Sequence, residues 1–134
     1  MKHIGFTGTQ QGMTPAQKRT VSDLVRMEAS GPSVLAHHGD CIGADADFHA
    51  IARAHGLAVC GHPPSNPGKR AYCTFDIVHS PRQYMTRNAD IVATADLMIA
   101  TPYELLPKVR GGTWSTIRMA KIAKKRLIIV WADG

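Results

Sequence analysis

The sequence has no apolar run near the roughly 18 residues that a bilayer span requires. It also has no charged-then-apolar leader pattern at its start. No membrane association is therefore expected. Cysteine is scarce: Cys41, Cys60 and Cys73 make an odd count with no close pair. That excludes a disulfide framework and favours a reducing, cytoplasmic setting. Metal-ligand spacing is missing too, with neither Cys-x-x-Cys nor His-x-x-x-His. His37 and His38 are adjacent, so in a strand they face opposite ways, and His49 and His55 stand six apart on a helical segment. Neither a metal nor a resident cofactor is expected. Aromatic residues make up only 6%, too few for the aromatic and basic interleaving of single-strand readers.

What is present is ordinary globular material: 134 residues, 44% hydrophobic and 19% charged, enough for one domain over 1–134 and too little for two. The net charge of +6 is unevenly placed. Residues 1–68 balance, and the whole basic excess lies in 69–134. A small anionic ligand fits this distribution best, with nucleic acid ranked below it. Assembly with further copies of the chain is compatible with it.

Five short apolar runs, near 3–8, 33–38, 57–61, 96–101 and 126–131, are bounded by Gly, Pro or Asp. They read as strands buried on both faces of a parallel sheet. Between them lie helical patterns. One opens at Thr14-Pro15, an N-cap followed by a first-turn proline. A second opens at Gly43 and closes at Gly56, a third runs from about Pro81 to Ala95, and a fourth from Thr113 to about Lys124. The alternation predicts a three-layer α/β fold: a Rossmann-like open parallel sheet of about five strands, with helices on both faces. The segment 62–80, with Pro63, Pro64 and Pro67, is expected to be irregular and long enough to be functional.

Three glycine-rich turns fall at carboxyl ends of predicted strands, where such sheets bind ligands. The first carries Thr7, Gly8, Thr9 and Gln10. The second, Gly39-Asp40-Cys41-Ile42-Gly43-Ala44-Asp45, opens into a helix whose free N–H groups make an anion seat. In it Asp40 caps the helix or accepts from a ribose hydroxyl, and Asp45 and Asp47 suit the positive end of the dipole. Cys41 stands where a helix start lowers a thiol pKa, although an inert thiol is the plainer reading. The third turn, Gly111-Gly112-Thr113, offers a second seat with Thr113 as N-cap. Arg87-Asn88 and Arg82 fall on the third helix. Asn is a poor helix-interior residue, and a guanidinium suits phosphate. Lys69 and Arg70 add charge from the proline-rich loop.

Taken in order, "GDCIGADADFHAIARAHG", "MTRNADIVATADLMIATP" and "GGTWSTIRMAKIAKKRLIIV" resemble the SLOG superfamily of Rossmann-like nucleotide-binding proteins. The nearest likeness is to its small single-domain YspA-like and YpsA-like branch, and more distantly to DprA/Smf and the LOG phosphoribohydrolases. The resemblance implies a nucleotide or phosphorylated nucleoside held at the Gly39–Asp45 and Gly111–Thr113 turns, with Arg87 and Asn88 as pocket residues. The LOG run continues GGxGTxxE, and its glutamate belongs to the active site. Here the helix after Gly112 has no glutamate, and Glu28 and Glu104 are the only two in the chain. Two functions stay open. One is a sensory or binding module. The other is an N-glycosidase of nucleoside monophosphates that uses Asp40 or Glu104 as catalytic carboxylate. Single-stranded DNA binding is a third expectation, after DprA.

Overall fold

The computed structural model describes residues 1–134. The chain runs β1 (Lys2–Gly8), α1 (Pro15–Ala29), β2 (Val34–His38), α2 (Ala44–Ala54), β3 (Ala58–Gly61), β4 (Ile77–Val78), α3 (Tyr84–Thr94), β5 (Leu97–Thr101), α4 (Gly112–Ile122) and β6 (Arg126–Ile129). The strands form one parallel sheet in the order β4-β3-β2-β1-β5-β6. The expected open parallel architecture is borne out, with six strands rather than about five.

Alternation along β1 fixes the layers. Ile4 and Phe6 turn to one face, where Phe6 stacks on Phe48 of α2 with ring centroids 4.4 Å apart. Val21 and Val25 of α1 complete that core with Ala44, Phe48 and Ala52 of α2. Fully burying side chains of this size contributes roughly 1.5–3 kcal/mol each. On the opposite face Met98 packs with Ile91 and Val92 of α3, Ala95 just past its end and Ala120 of α4. A Cβ at Gly5 would collide with the Met98 sulfur, so glycine here lets α3 lie close to β1.

Thr14 and Gln17 form a full capping box at α1: Thr14 Oγ1 accepts from Gln17 N (3.1 Å) and Gln17 Oε1 from Thr14 N (2.9 Å). Two expectations need correction. The third helix starts at Tyr84, after the 62–80 segment, and that segment is not irregular throughout. It holds a 3-10 turn at Pro67–Lys69 and the added edge strand β4, paired to Cys60 and Gly61. The Asp76 carboxylate pins β4 by accepting from Val59 N (2.8 Å) and Arg53 Nη1 (2.6 Å). Prolines 63, 64 and 67 all precede it, so none interrupts the pairing.

Strand β1 stands between β2 and β5, so successive crossovers leave it in opposite directions. The crevice beyond the carboxyl ends of β1, β2 and β5 is the switch point where open α/β sheets take ligands.

Candidate functional site

A cleft lies at this switch point. Its walls are Thr7 and Gly8 at the end of β1, Gly39, Cys41 and Asp45 after β2, and Gly112 and Thr113 at the start of α4, with Tyr84, Arg87 and Asn88 of α3 closing one side. The three glycine-rich turns thus meet in one place. Thr9, Asp40, Gly43 and Gly111 are not among the lining residues, and each has a structural task instead.

The Gly39–Asp45 turn is filled by its own chain. Cys41 N donates to Asp45 Oδ2 (3.1 Å), Ile42 N to Lys69 O (3.1 Å) and Asp40 N to His38 Nδ1 (2.9 Å). Ala44 N, at the helix start, donates to Thr9 O (3.0 Å). Gly43 at φ +94 carries the chain against the Gln10 backbone, where a Cβ would collide. Asp45 therefore occupies the seat expected for an outside anion. Burial pushes its carboxyl up to about 6, against the lowering effect of the Arg87 charge and of the Cys41 amide.

Asp40 is wholly buried at φ +52. Its carboxylate accepts from Arg70 Nε (2.7 Å) and Cys73 N (2.9 Å), and its carbonyl from Ala71 N (2.7 Å). It neither caps α2 nor faces the cleft; it staples the proline-rich loop to β2. Cys41 also departs from expectation. Burial and the Asp45 charge raise its thiol pKa, so the helix start does not make it a ready thiolate.

Arg87 is 3% exposed, and its Nε and Nη1 donors are met within the chain, while Nη2 has only the Cys41 sulfur at 3.7 Å. Nη1 donates to Gly39 O (2.7 Å) and His62 O (3.2 Å), and Nε to Asn88 Oδ1 (2.7 Å). Tyr84 lies over its guanidinium at 4.8 Å and fills the space beside Gly112. Tyr84, with the apolar Phe6 and Ile91, lines the cleft without having been expected there, although it sits three positions before Arg87 and so on the same helix face. Of the other cations, Lys69 reaches Gln10 Oε1 (3.4 Å), whereas Arg82 pairs with Asp90 (3.1 Å) over a different cavity.

Helix α4 differs from α2 at its start. Gly111, at φ +114, is the N-cap in place of Thr113, and no side chain caps the helix. No acidic residue stands in its first turn, so its N-terminal N–H groups and positive dipole end lack the first-turn carboxylates that Asp45 and Asp47 give α2. Glu104, the other carboxylate candidate, lies outside the cleft lining. It accepts from Trp114 Nε1 (2.9 Å) and pairs with Lys108 (3.3 Å). Against a raising effect of burial, these contacts hold it below the ordinary glutamate range.

No protein-family model and no curated protein sequence matches the chain. Solved structures do. The molybdenum cofactor binding protein from Rippkaea orientalis superposes with TM-score 0.74 at 22% identity, over 97% of this chain and 76% of that one. The Moco carrier protein from Chlamydomonas reinhardtii gives 0.67 at 17% identity, over 96% and 75%. DNA processing protein A (DprA) from Streptococcus pneumoniae gives 0.71 at 16%, over 96% of this chain and 50% of that one. These likenesses show that the chain shares the Rossmann-like α/β fold of those proteins. The parallel sheet accounts for the meeting of the three turns: parallel strands end together, so the loops that follow them share one rim.

Proposed function

We propose that the cleft binds a nucleotide or phosphorylated nucleoside, with its phosphate at the uncapped start of α4. The observation that carries this reading is the contrast between two helix starts on one rim. At α2 the turn amides are met by Asp45 and by backbone carbonyls, while at α4 nothing in the chain caps the helix. Tyr84 beside Gly112 gives a base a face to stack on. The free volume of the cleft is about 20 Å³, room for roughly one water. Entry therefore requires Tyr84 to swing away from Gly112.

Binding without cleavage is the favoured form. Glycosidic hydrolysis generally uses a pair of carboxyl groups, and Asp45 is the one carboxylate that lines the cleft. Asp40 and Glu104 are committed elsewhere.

The test is a thermal-shift panel of nucleoside monophosphates, followed by chromatography for free base. The panel also carries molybdenum cofactor and a short single strand. Two of the similar proteins are described as binding or carrying that cofactor, and DNA processing protein A from Helicobacter pylori, which superposes with TM-score 0.66 at 17% identity, as binding single-stranded DNA. A monophosphate at a hundredfold its Kd should stabilise the chain by about 2.7 kcal/mol, with no base released. Base release lost in both Asp40→Asn and Glu104→Gln would replace this reading with the N-glycosidase. No shift with any phosphate compound would end it.

A further inference from the structure

Along the chain no His pair or Cys pair stands at metal-ligand spacing, but the sheet creates neighbours across strands. His37 on β2 pairs in register with Cys60 on β3, and His62 follows two residues later, so all three side chains project from one face. Alternation along β1 puts His3 on that face as well. It is the face carrying α3 and α4, but α3 packs chiefly on β1 and α4 on β1, β5 and β6. The end of the face over β2 and β3 thus lacks a helix, and imidazoles occupy it.

Their atoms converge. His37 Nδ1 lies 2.9 Å from His62 Nε2, and Cys60 Sγ lies 3.7 Å from the same nitrogen. All three ligand atoms fall within 4.8 Å of one another, and all three residues are buried. Behind His37, its Nε2 meets His3 Nδ1 at 2.8 Å. In front of His62, the exposed His79 ring stacks at 4.5 Å. Both rings border a cavity of about 420 Å³, lined also by Arg82 and Asp90.

We propose that His37 Nδ1, Cys60 Sγ and His62 Nε2 bind one borderline-soft divalent cation of the zinc type, with a fourth position open toward the His79 cavity. Two imidazoles and a thiolate are the donors such an ion takes, and three protein ligands with one open position is the arrangement of an accessible site. The cavity supplies the entry path. Binding breaks the Cys60 S–H bond, and its proton leaves to solvent as the sulfur–metal bond forms. His37 then carries its hydrogen on Nε2 and donates to His3 Nδ1, so His3 acts as a positioning residue that orients the ligating ring.

A second set, His38, His49 and Cys73, does not qualify. His38 Nδ1 already accepts from Asp40 N (2.9 Å), so the neutral ring carries its hydrogen on Nε2, which faces His49 Nδ1 (2.9 Å). That leaves His38 no lone pair for an ion.

The test titrates the chelator-stripped full chain with cobalt(II) and with zinc. The expected result is one ion per chain, a thiolate-to-cobalt charge-transfer band, and one proton released per ion. The band should vanish in Cys60→Ser and persist in Cys73→Ser and His49→Gln. His3→Phe should keep the band but weaken affinity roughly 10–100-fold. X-ray absorption of the wild-type zinc complex needs no variant and should show sulfur and imidazole ligation together. A band that survives Cys60→Ser, ligation without sulfur, or no zinc retained through gel filtration would each overturn the proposal.

Discussion

Arg87 Nη1 donates to the Gly39 carbonyl at 2.7 Å, and a Cβ at residue 39 would stand where that guanidinium lies. A glycine expected to admit a ligand instead admits an arginine. The pair joins α3 to the end of β2 and fixes the shape of the cleft wall.

Arg87→Ala should therefore act first on stability. Removing the guanidinium leaves the Gly39 and His62 carbonyls and the buried Asp45 carboxyl without their donor or counter-charge. Urea unfolding should register a loss of about 2–4 kcal/mol. A loss below about 0.5 kcal/mol would return the residue to a ligand-facing role.

Gly43 and Gly56 both have positive φ, +94 and +75, but they differ in surroundings. A Cβ at 43 collides with the Gln10 backbone, while one at 56 meets nothing within 4 Å. Gly56→Ala should cost about 1 kcal/mol, the left-handed penalty alone. Gly43→Ala adds a clash that only backbone movement can relieve, so it should cost about 1–3 kcal/mol more than Gly56→Ala. Equal midpoint shifts in thermal unfolding would contradict this.

Asp45 predicts a pH dependence. Its folded-state pKa, raised from 3.8 to about 6, lies above the unfolded value, so the native state holds the proton more tightly. The resulting stabilisation is full below about pH 4 and is lost as pH rises through about 6. Asp45→Asn has no such proton. The stability of the native sequence relative to this variant should fall by up to about 3 kcal/mol across that window. Parallel urea midpoints of the two proteins from pH 4 to 7 would refute it.

Thr113→Asp separates folding from binding at α4. A carboxylate in the first turn complements the dipole and should stabilise the protein by about 0.3–1 kcal/mol. The same charge fills the proposed phosphate seat and should abolish the thermal shift given by a nucleoside monophosphate. If that shift persists in the stabilised variant, the phosphate does not sit there.

The order of elements was written in local sequence. Buried parallel strands are short apolar runs, and Thr14-Pro15 with Gln17 spells a helix start whatever packs on it, because capping is satisfied within one turn. The meeting of Gly8, Gly39 and Gly112 on one rim also followed, since parallel strands that alternate with helices must end on the same edge. The partners of Asp40, Arg87 and His37 were decided by tertiary structure. Asp40 looked free until the loop carrying Arg70 and Cys73 folded onto it. Arg87 looked available until Gly39 and His62 presented their carbonyls. His37 had no ligand spacing until parallel register set Cys60 beside it. Hydrogen bonds and metal ligands are short-range in space and indifferent to separation along the chain, so only the folded chain shows which of these residues remain free to meet a ligand.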